Sequence, residues 1–211
     1  MITREEQSQL LKFAVFFEGG MGIVALILGW LTGYYPVHYL HLRPADALWA
    51  VAATVPLLVL FALTTRFPLG FLKSIRRKLD DAILPLFGGL RNTDLLLLAI
   101  LAGWGEELLF RGFLQPLAAD YTGPIVAIII TNILFGLAHL ITPAYAIIAA
   151  LVGAYLGWLM LRFDNLAVPI IIHALYDYCA LLFFLRVVHR NSPVPMPRSA
   201  AKDSEPDNEG D

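Results

Sequence analysis

Stretches approaching 20 apolar residues recur along this chain. A segment of that length in lipid must satisfy its backbone polar groups internally, and it reads as a transmembrane helix. Composition agrees. Hydrophobic residues make 58% and charged residues 15% of the sequence, against roughly 45–50% apolar and about 25% charged in soluble domains. Mean hydropathy is +0.69. The expected fold is all-α, a polytopic helix bundle of about six spans. A soluble all-helical protein would not carry so many long apolar runs.

The expected spans run from about Leu11 to Leu31, Ala45 to Thr64, Leu95 to Leu114, Ile125 to Ile141, Tyr145 to Leu161, and Pro169 to Arg186. Gly33-Tyr34-Tyr35-Pro36, Asp120 to Pro124, Thr142-Pro143 and Asp164-Asn165 supply turns. Pro169 sits in a first helical turn, where its missing N–H costs little. Residues 66–94 form the longest polar connection, with Arg66, Lys73, Arg76, Arg77, Lys78 and Arg91. Its part from Leu69 to Leu86 suits an amphipathic interfacial helix, ended by Pro85 and Gly88-Gly89. From Asn191 onward the chain is proline-rich and then acidic, a composition expected to stay disordered. Three parts follow: 1–94 with two spans and the basic connection, 95–190 as a helix bundle, and 191–211 as the tail.

Of 15 Lys and Arg, only Arg43 and Arg162 fall in the short connections opposite the termini, and Arg111 lies in a span. The positive-inside bias therefore puts both termini and the 66–94 loop in the cytoplasm. No convincing cleavage site follows the first apolar run, so it is expected to remain as a span. Cys179 is the only cysteine, which excludes an intramolecular disulfide and a Cys-based metal cluster. Net charge is −2, and no basic field for nucleic acid is present.

Three runs break the apolar pattern: Glu106-Glu107-Leu-Leu-Phe-Arg111, Phe135-Gly-Leu-Ala-His139 and His173-Ala-Leu-Tyr-Asp177. Charges at membrane depth are costly, so they pair, face the bundle interior or line a cavity. Glu106 and Glu107 point about 100° apart on a helix. Glu107 and Arg111 are i,i+4 and suit an internal ion pair, which leaves Glu106 for another role. Gly103 and Gly105 permit close helix approach and are expected to leave room for water or substrate. Thr131, Phe135 and His139 share one helix face, with Asn132 beside them. Asp177, four residues beyond His173, can fix its tautomer or favour its protonated form.

These groups suit hydrolysis. A carboxylate takes a proton from water while histidine assists, and another histidine stabilises a developing oxyanion. No Gly-x-Ser-x-Gly elbow or phosphate-binding loop is present, and Cys179 is poorly placed relative to His173 for covalent catalysis. Glu106, His139 and His173 could instead supply a two-His, one-carboxylate zinc site, although the His-Glu-x-x-His signature is missing. Two non-enzymatic readings compete: a silent membrane immunity or regulatory partner, and a small-solute transporter. The latter lacks the internal repeat that transporters often use.

The three motifs in order resemble the CAAX prenyl protease and bacteriocin-processing family of intramembrane peptidases, also called CPBP or ABI. The resemblance covers about residues 95–185 and includes Arg111-Gly-Phe-Leu114 and Asn165 through His173. It implies a metal-free glutamate peptidase. Glu106 would activate water with help from His139, His173 and Asp177 would form the oxyanion site, and Glu107 and Arg111 would support the architecture. The family pattern ends in Asn or Asp. Asp177 departs from the Asn of eukaryotic members, and an ionised carboxylate cannot donate as an amide does. Bacterial members are varied, so a strict prenyl-protein substrate is not expected. The reading is an endopeptidase of a bacterial inner membrane, acting on a membrane-associated protein or peptide among lipids. It needs no cofactor, and its oligomeric state is open.

Depth poses a conflict. At about 1.5 Å per residue, Glu106, His139 and His173 fall roughly 16, 5 and 20 Å from the cytoplasmic ends of their spans. A tilt or break must bring them level, with a cavity opening toward the cytoplasm. Glu18, beside Gly19 and Gly20 in the first span, is a further candidate for lining that cavity and for substrate or water access.

Overall fold

A computed structural model describes residues 4–67, 70 and 87–188. The expected interfacial helix over 69–86 and the tail from Asn191 lie outside the described residues. Within them every regular element is helical: α1 (Arg4–Thr32), a short 3₁₀ turn (Pro36–Tyr39), α2 (Pro44–Arg66), α3 (Asn92–Glu107), α4 (Gln115–Thr122), α5 (Pro124–Ala138), α6 (Pro143–Phe163) and α7 (Ala167–Phe183). A π-helical turn, Leu108–Leu114, joins α3 to α4 without a break, and a second one, Phe184–Val188, extends α7.

Local chemistry sets these boundaries. Proline opens α2, α5 and α6, where the first N–H groups have no helical acceptor. The Thr142 hydroxyl accepts from Tyr145 N at 3.0 Å and caps α6. Asp164, at φ 46°, closes the same helix in the left-handed region. Asp94 in the first turn of α3 accepts from both the backbone and the guanidinium of Arg91, and its carboxyl is held below the usual range. At the opposite end the Tyr34 hydroxyl donates to Asp120 at 2.7 Å. That bond pushes its pKa up to about 12.

Four helical stretches are long and apolar enough to cross a membrane: Glu5–Thr32, Pro44–Arg66, Pro143–Phe163 and Ala167–Arg186. The other two segments depart from the expected spans. The third runs on past Leu114 to Thr122 through its π turn. The fourth stops at Ala138, three residues short of the expected end. Its 15 residues rise about 21 Å, less than the roughly 30 Å of a hydrocarbon core.

Those departures remove the depth conflict. Measured from their shared turn at Gly123, Glu106 lies about 24 Å back along α3–α4 and His139 about 22 Å along α5. The start of α7 is itself deep. Leu166 N donates to Tyr39 O and His41 N donates to Asn165 Oδ1, so the 36–41 segment folds inward over the α6–α7 turn. Leu166 consequently reaches Gly112, six residues beyond Glu106, and the antiparallel α7 brings His173 back to Glu106 depth.

The helices are held by apolar seams. Ala50 and Leu57 of α2 pack with Leu156 and Leu159 of α6 and with Val168 and Ile172 of α7. Leu95 and Leu98 pack against Phe184 and Leu185, with Leu11 and Ala14 of α1 beside them. The outer faces are apolar too: Phe16, Trp30, Trp49, Ile129, Ile133 and Leu151 are exposed, as lipid contact requires.

Candidate active site

Glu107 and Arg111 are fully buried. Arg111 Nη1 donates to Glu107 Oε1 at 2.8 Å, the i,i+4 contact that their spacing anticipates. The pair is not isolated. His173 Nδ1 lies 2.7 Å from the same Oε1, and Arg111 Nη2 donates to Asn132 Oδ1 at 2.9 Å. Asn132 is anchored in turn through Nδ2 to Ile128 O at 2.7 Å. One carboxylate oxygen thus ties α3, the π turn and α7 together, and Arg111 extends the tie to α5. A Cβ on Gly153 would collide with Asn132 Oδ1 and Arg111 Nη2, so α6 can close over this network only through glycine.

Phe135 joins the network to the second motif. The Arg111 guanidinium lies over its ring, 4.5 Å from the centroid. The His139 ring packs against Phe135 at 4.4 Å and 30°. His139 Nδ1 lies 2.9 Å from Phe135 O. A donor at Nδ1 leaves Nε2 of a neutral ring as an acceptor. That Nε2 faces Glu106 Oε2 at 3.6 Å, beyond ordinary hydrogen-bond distance. Glu106 Oε2 is buried and has no hydrogen-bond partner among the described residues.

His173 meets a carboxylate at each nitrogen: Glu107 at Nδ1 and, at 3.4 Å, Asp177 Oδ2 at Nε2. Glu107 holds the shorter contact and Asp177 is partly exposed. His139, Tyr145, His173, Tyr176, Asp177 and Phe135 line a cavity of about 110 Å³. Glu18 Oε2, Glu107 Oε2 and Gln115 Oε1 are further buried oxygens without a partner among the described residues. Glu18 lies within electrostatic range of Glu106, His173 and Asp177.

All seven candidate residues, Glu18, Glu106, Glu107, Arg111, His139, His173 and Asp177, therefore meet in one region. Three features are invisible in the motifs: the Glu107–His173 contact, Phe135 as a bridge, and two tyrosines in the cavity wall. The spacing of Tyr145, six residues beyond His139 and across a turn, gives no periodic signal. The two glycines of α3 also behave differently from expectation. A Cβ on Gly103 would meet Ala174 N and Ile170 O of α7, each at 2.9 Å, and one on Gly105 would strike Glu18 O of α1. Their space is filled by helix backbone and holds no room for water or substrate.

Among the described residues no three His, Cys, Asp or Glu side chains are arranged to hold a metal ion. Within the set Glu106, His139 and His173, the last would have to give up a carboxylate contact to present a lone pair.

No curated protein and no solved structure matches the chain. The family model described as Rce1-like, type II CAAX prenyl endopeptidase matches residues 90–179. The matched stretch carries all three motifs, from Glu106 to Asp177, and contributes most of the cavity lining. Residues 90–179 of this membrane protein are thus similar to the Rce1-like, type II CAAX prenyl endopeptidase family, and four of its helical stretches are long and apolar enough to cross a membrane.

Proposed function

We propose that the chain is an intramembrane endopeptidase that hydrolyses a peptide bond of a membrane-associated protein or peptide, using water activated by Glu106 and His139. The observation that carries this reading is the facing pair itself. Glu106 Oε2 has no hydrogen-bond partner among the described residues, and the free nitrogen of His139 stands 3.6 Å away. One water set beside both would donate a hydrogen bond to each. A buried carboxylate left unpartnered is costly, and it is retained where chemistry uses it.

In the reaction Glu106 takes a proton from water as the water oxygen bonds to the scissile carbonyl carbon. The carbonyl electron pair moves to oxygen. Collapse of that intermediate re-forms C=O, breaks C–N, and returns the proton to the leaving amine. His173 Nε2, at the cavity wall, is the donor nearest the developing oxyanion, while Glu107 fixes the ring from behind. Asp177 orients His173. Glu18 bounds the site from α1 and tunes access of water. All of these steps run without a metal. The basic residues beside the termini support a cytoplasmic placement of both ends in a bacterial inner membrane.

The test uses the full chain purified in detergent with internally quenched peptide pools, lipidated and unlipidated. Cleavage is expected from the parent, with the Glu106→Gln (E106Q) variant folded and slower by roughly 10²–10⁴. Turnover by E106Q near the parent rate removes Glu106 from the base role. A parent without any cleavage in either pool defeats the enzymatic reading.

A further inference from the structure

Hydrolysis as proposed above leaves one requirement unmet. The carbonyl oxygen gathers negative charge, and stabilising it calls for donors aimed at where that charge develops. His173 Nε2 is one, but Asp177 Oδ2 already competes for it at 3.4 Å. Asp177 itself is acceptor-only when ionised, and an ionised carboxylate beside an oxyanion is repulsive. The site needs a second donor that Asp177 cannot supply.

Two tyrosines, Tyr145 and Tyr176, line the cavity. They differ in placement. Tyr176 is packed edge-on against Phe61, with centroids 6.2 Å apart, and is in electrostatic range of Asp177 and Tyr145. Tyr145 is in range of both Glu106 and Asp177, and it shares the cavity lining with His139, His173 and Asp177. Its ring lies 6.4 Å from that of His139. Its backbone is fixed by the Thr142 cap, to which Tyr145 N donates.

We infer that the Tyr145 hydroxyl is a catalytic hydrogen-bond donor to the scissile carbonyl oxygen, supplying with His173 the oxyanion site that Asp177 cannot complete. This rests on the peptidase reading above. The hydroxyl keeps its proton throughout: it donates a hydrogen bond that strengthens as C=O becomes C–O⁻ and weakens again when C–N breaks. A donor whose contact is realised in the transition state acts on kcat and leaves KM nearly unchanged.

The experiment compares the parent, Tyr145→Phe (Y145F), Tyr176→Phe (Y176F), E106Q and the double variant Y145F with Asp177→Asn (D177N). The probe is one internally quenched peptide chosen from the cleaved pool. Y145F is expected to lose about 10²–10³ in kcat with KM within threefold or so, and Y176F to stay within a few-fold of the parent. D177N introduces an amide donor and is expected to restore at least tenfold of the Y145F loss, roughly the worth of one donor. A merely structural Tyr145 would not be rescued that way. Y145F within threefold of the parent, while E106Q is inactive, overturns the inference and leaves the peptidase reading standing. Parallel loss of activity and thermal stability in Y145F, unrepaired by D177N, overturns it too. An active E106Q defeats the underlying mechanism whatever Y145F does.

Discussion

Glu106 and Glu107 are neighbours in sequence and opposites in use. Glu107 shares one oxygen between Arg111 and His173 and is wholly out of solvent. Glu106 is slightly accessible, and its Oε2, like the second oxygen of Glu107, has no hydrogen-bond partner among the described residues, but it faces His139 and not a fixed cation. The roughly 100° between them on the helix turns one carboxylate into a cross-brace and aims the other at His139. A buried charge that is paired and hydrogen-bonded serves architecture; one left open is available for a proton.

Substitutions can break that contrast. The largest divergence is expected between E106Q and Glu107→Gln (E107Q). E106Q should lose cleavage by about 10²–10⁴, yet keep or slightly raise its thermal midpoint, because an unpartnered carboxylate is removed. E107Q leaves Arg111 buried without its counter-charge and should cost about 3–5 kcal/mol, read as a drop in the midpoint in detergent. If both variants melt alike, the division of labour between the two carboxylates is wrong.

Next comes the Gly105 crossing. A Cβ there meets the backbone of Glu18, so Gly105→Val must displace α1 from α3. Overpacking of this kind typically costs about 1–3 kcal/mol, and a midpoint unchanged by the substitution would show that α1 does not rest on α3 as described. Smaller again is Glu18→Gln (E18Q), expected to change cleavage several-fold while E106Q abolishes it; identical kinetics across several peptides would return Glu18 to a packing role. The smallest effect is expected from metal removal. Activity should survive a strong chelator, and active protein should carry no stoichiometric transition metal. Loss on chelation, restored by near-equimolar zinc, would convert Glu106, His139 and His173 into ligands and erase the contrast.

Much of this was legible in the chain. Long apolar runs announce helices, and i,i+4 spacing announces Glu107–Arg111 because both partners lie on one element. Contacts between elements are another matter. Glu107 and His173 are 66 residues apart, and no periodicity links them. The π turn escapes notice because nothing in Leu108 through Leu114 distinguishes i→i+5 from i→i+4 hydrogen bonding. Small residues were read correctly as sites of close approach at Gly103 and Gly105, but not for what approaches them: backbone fills both sites. The end of α5 is hidden in the sequence because Leu140 and Ile141 continue the apolar pattern after the helix has stopped. Hydropathy reports affinity for lipid, and it is blind to where hydrogen bonding ceases.

The brevity of α5 has a consequence for the membrane itself. Its exposed flank, with Ile125, Ile129, Ile133 and Leu137, presents about 21 Å of helical hydrocarbon surface beside neighbours long enough to span. Lipids along that flank must compress or leave acyl carbons against polar ends, at a cost of fractions of a kcal/mol per ångström. Hydrophobic mismatch is thereby concentrated on one side of the bundle, next to the helix end that bears His139. Bilayers of shorter acyl chains relieve it, so lipid thickness becomes a variable to which this flank responds.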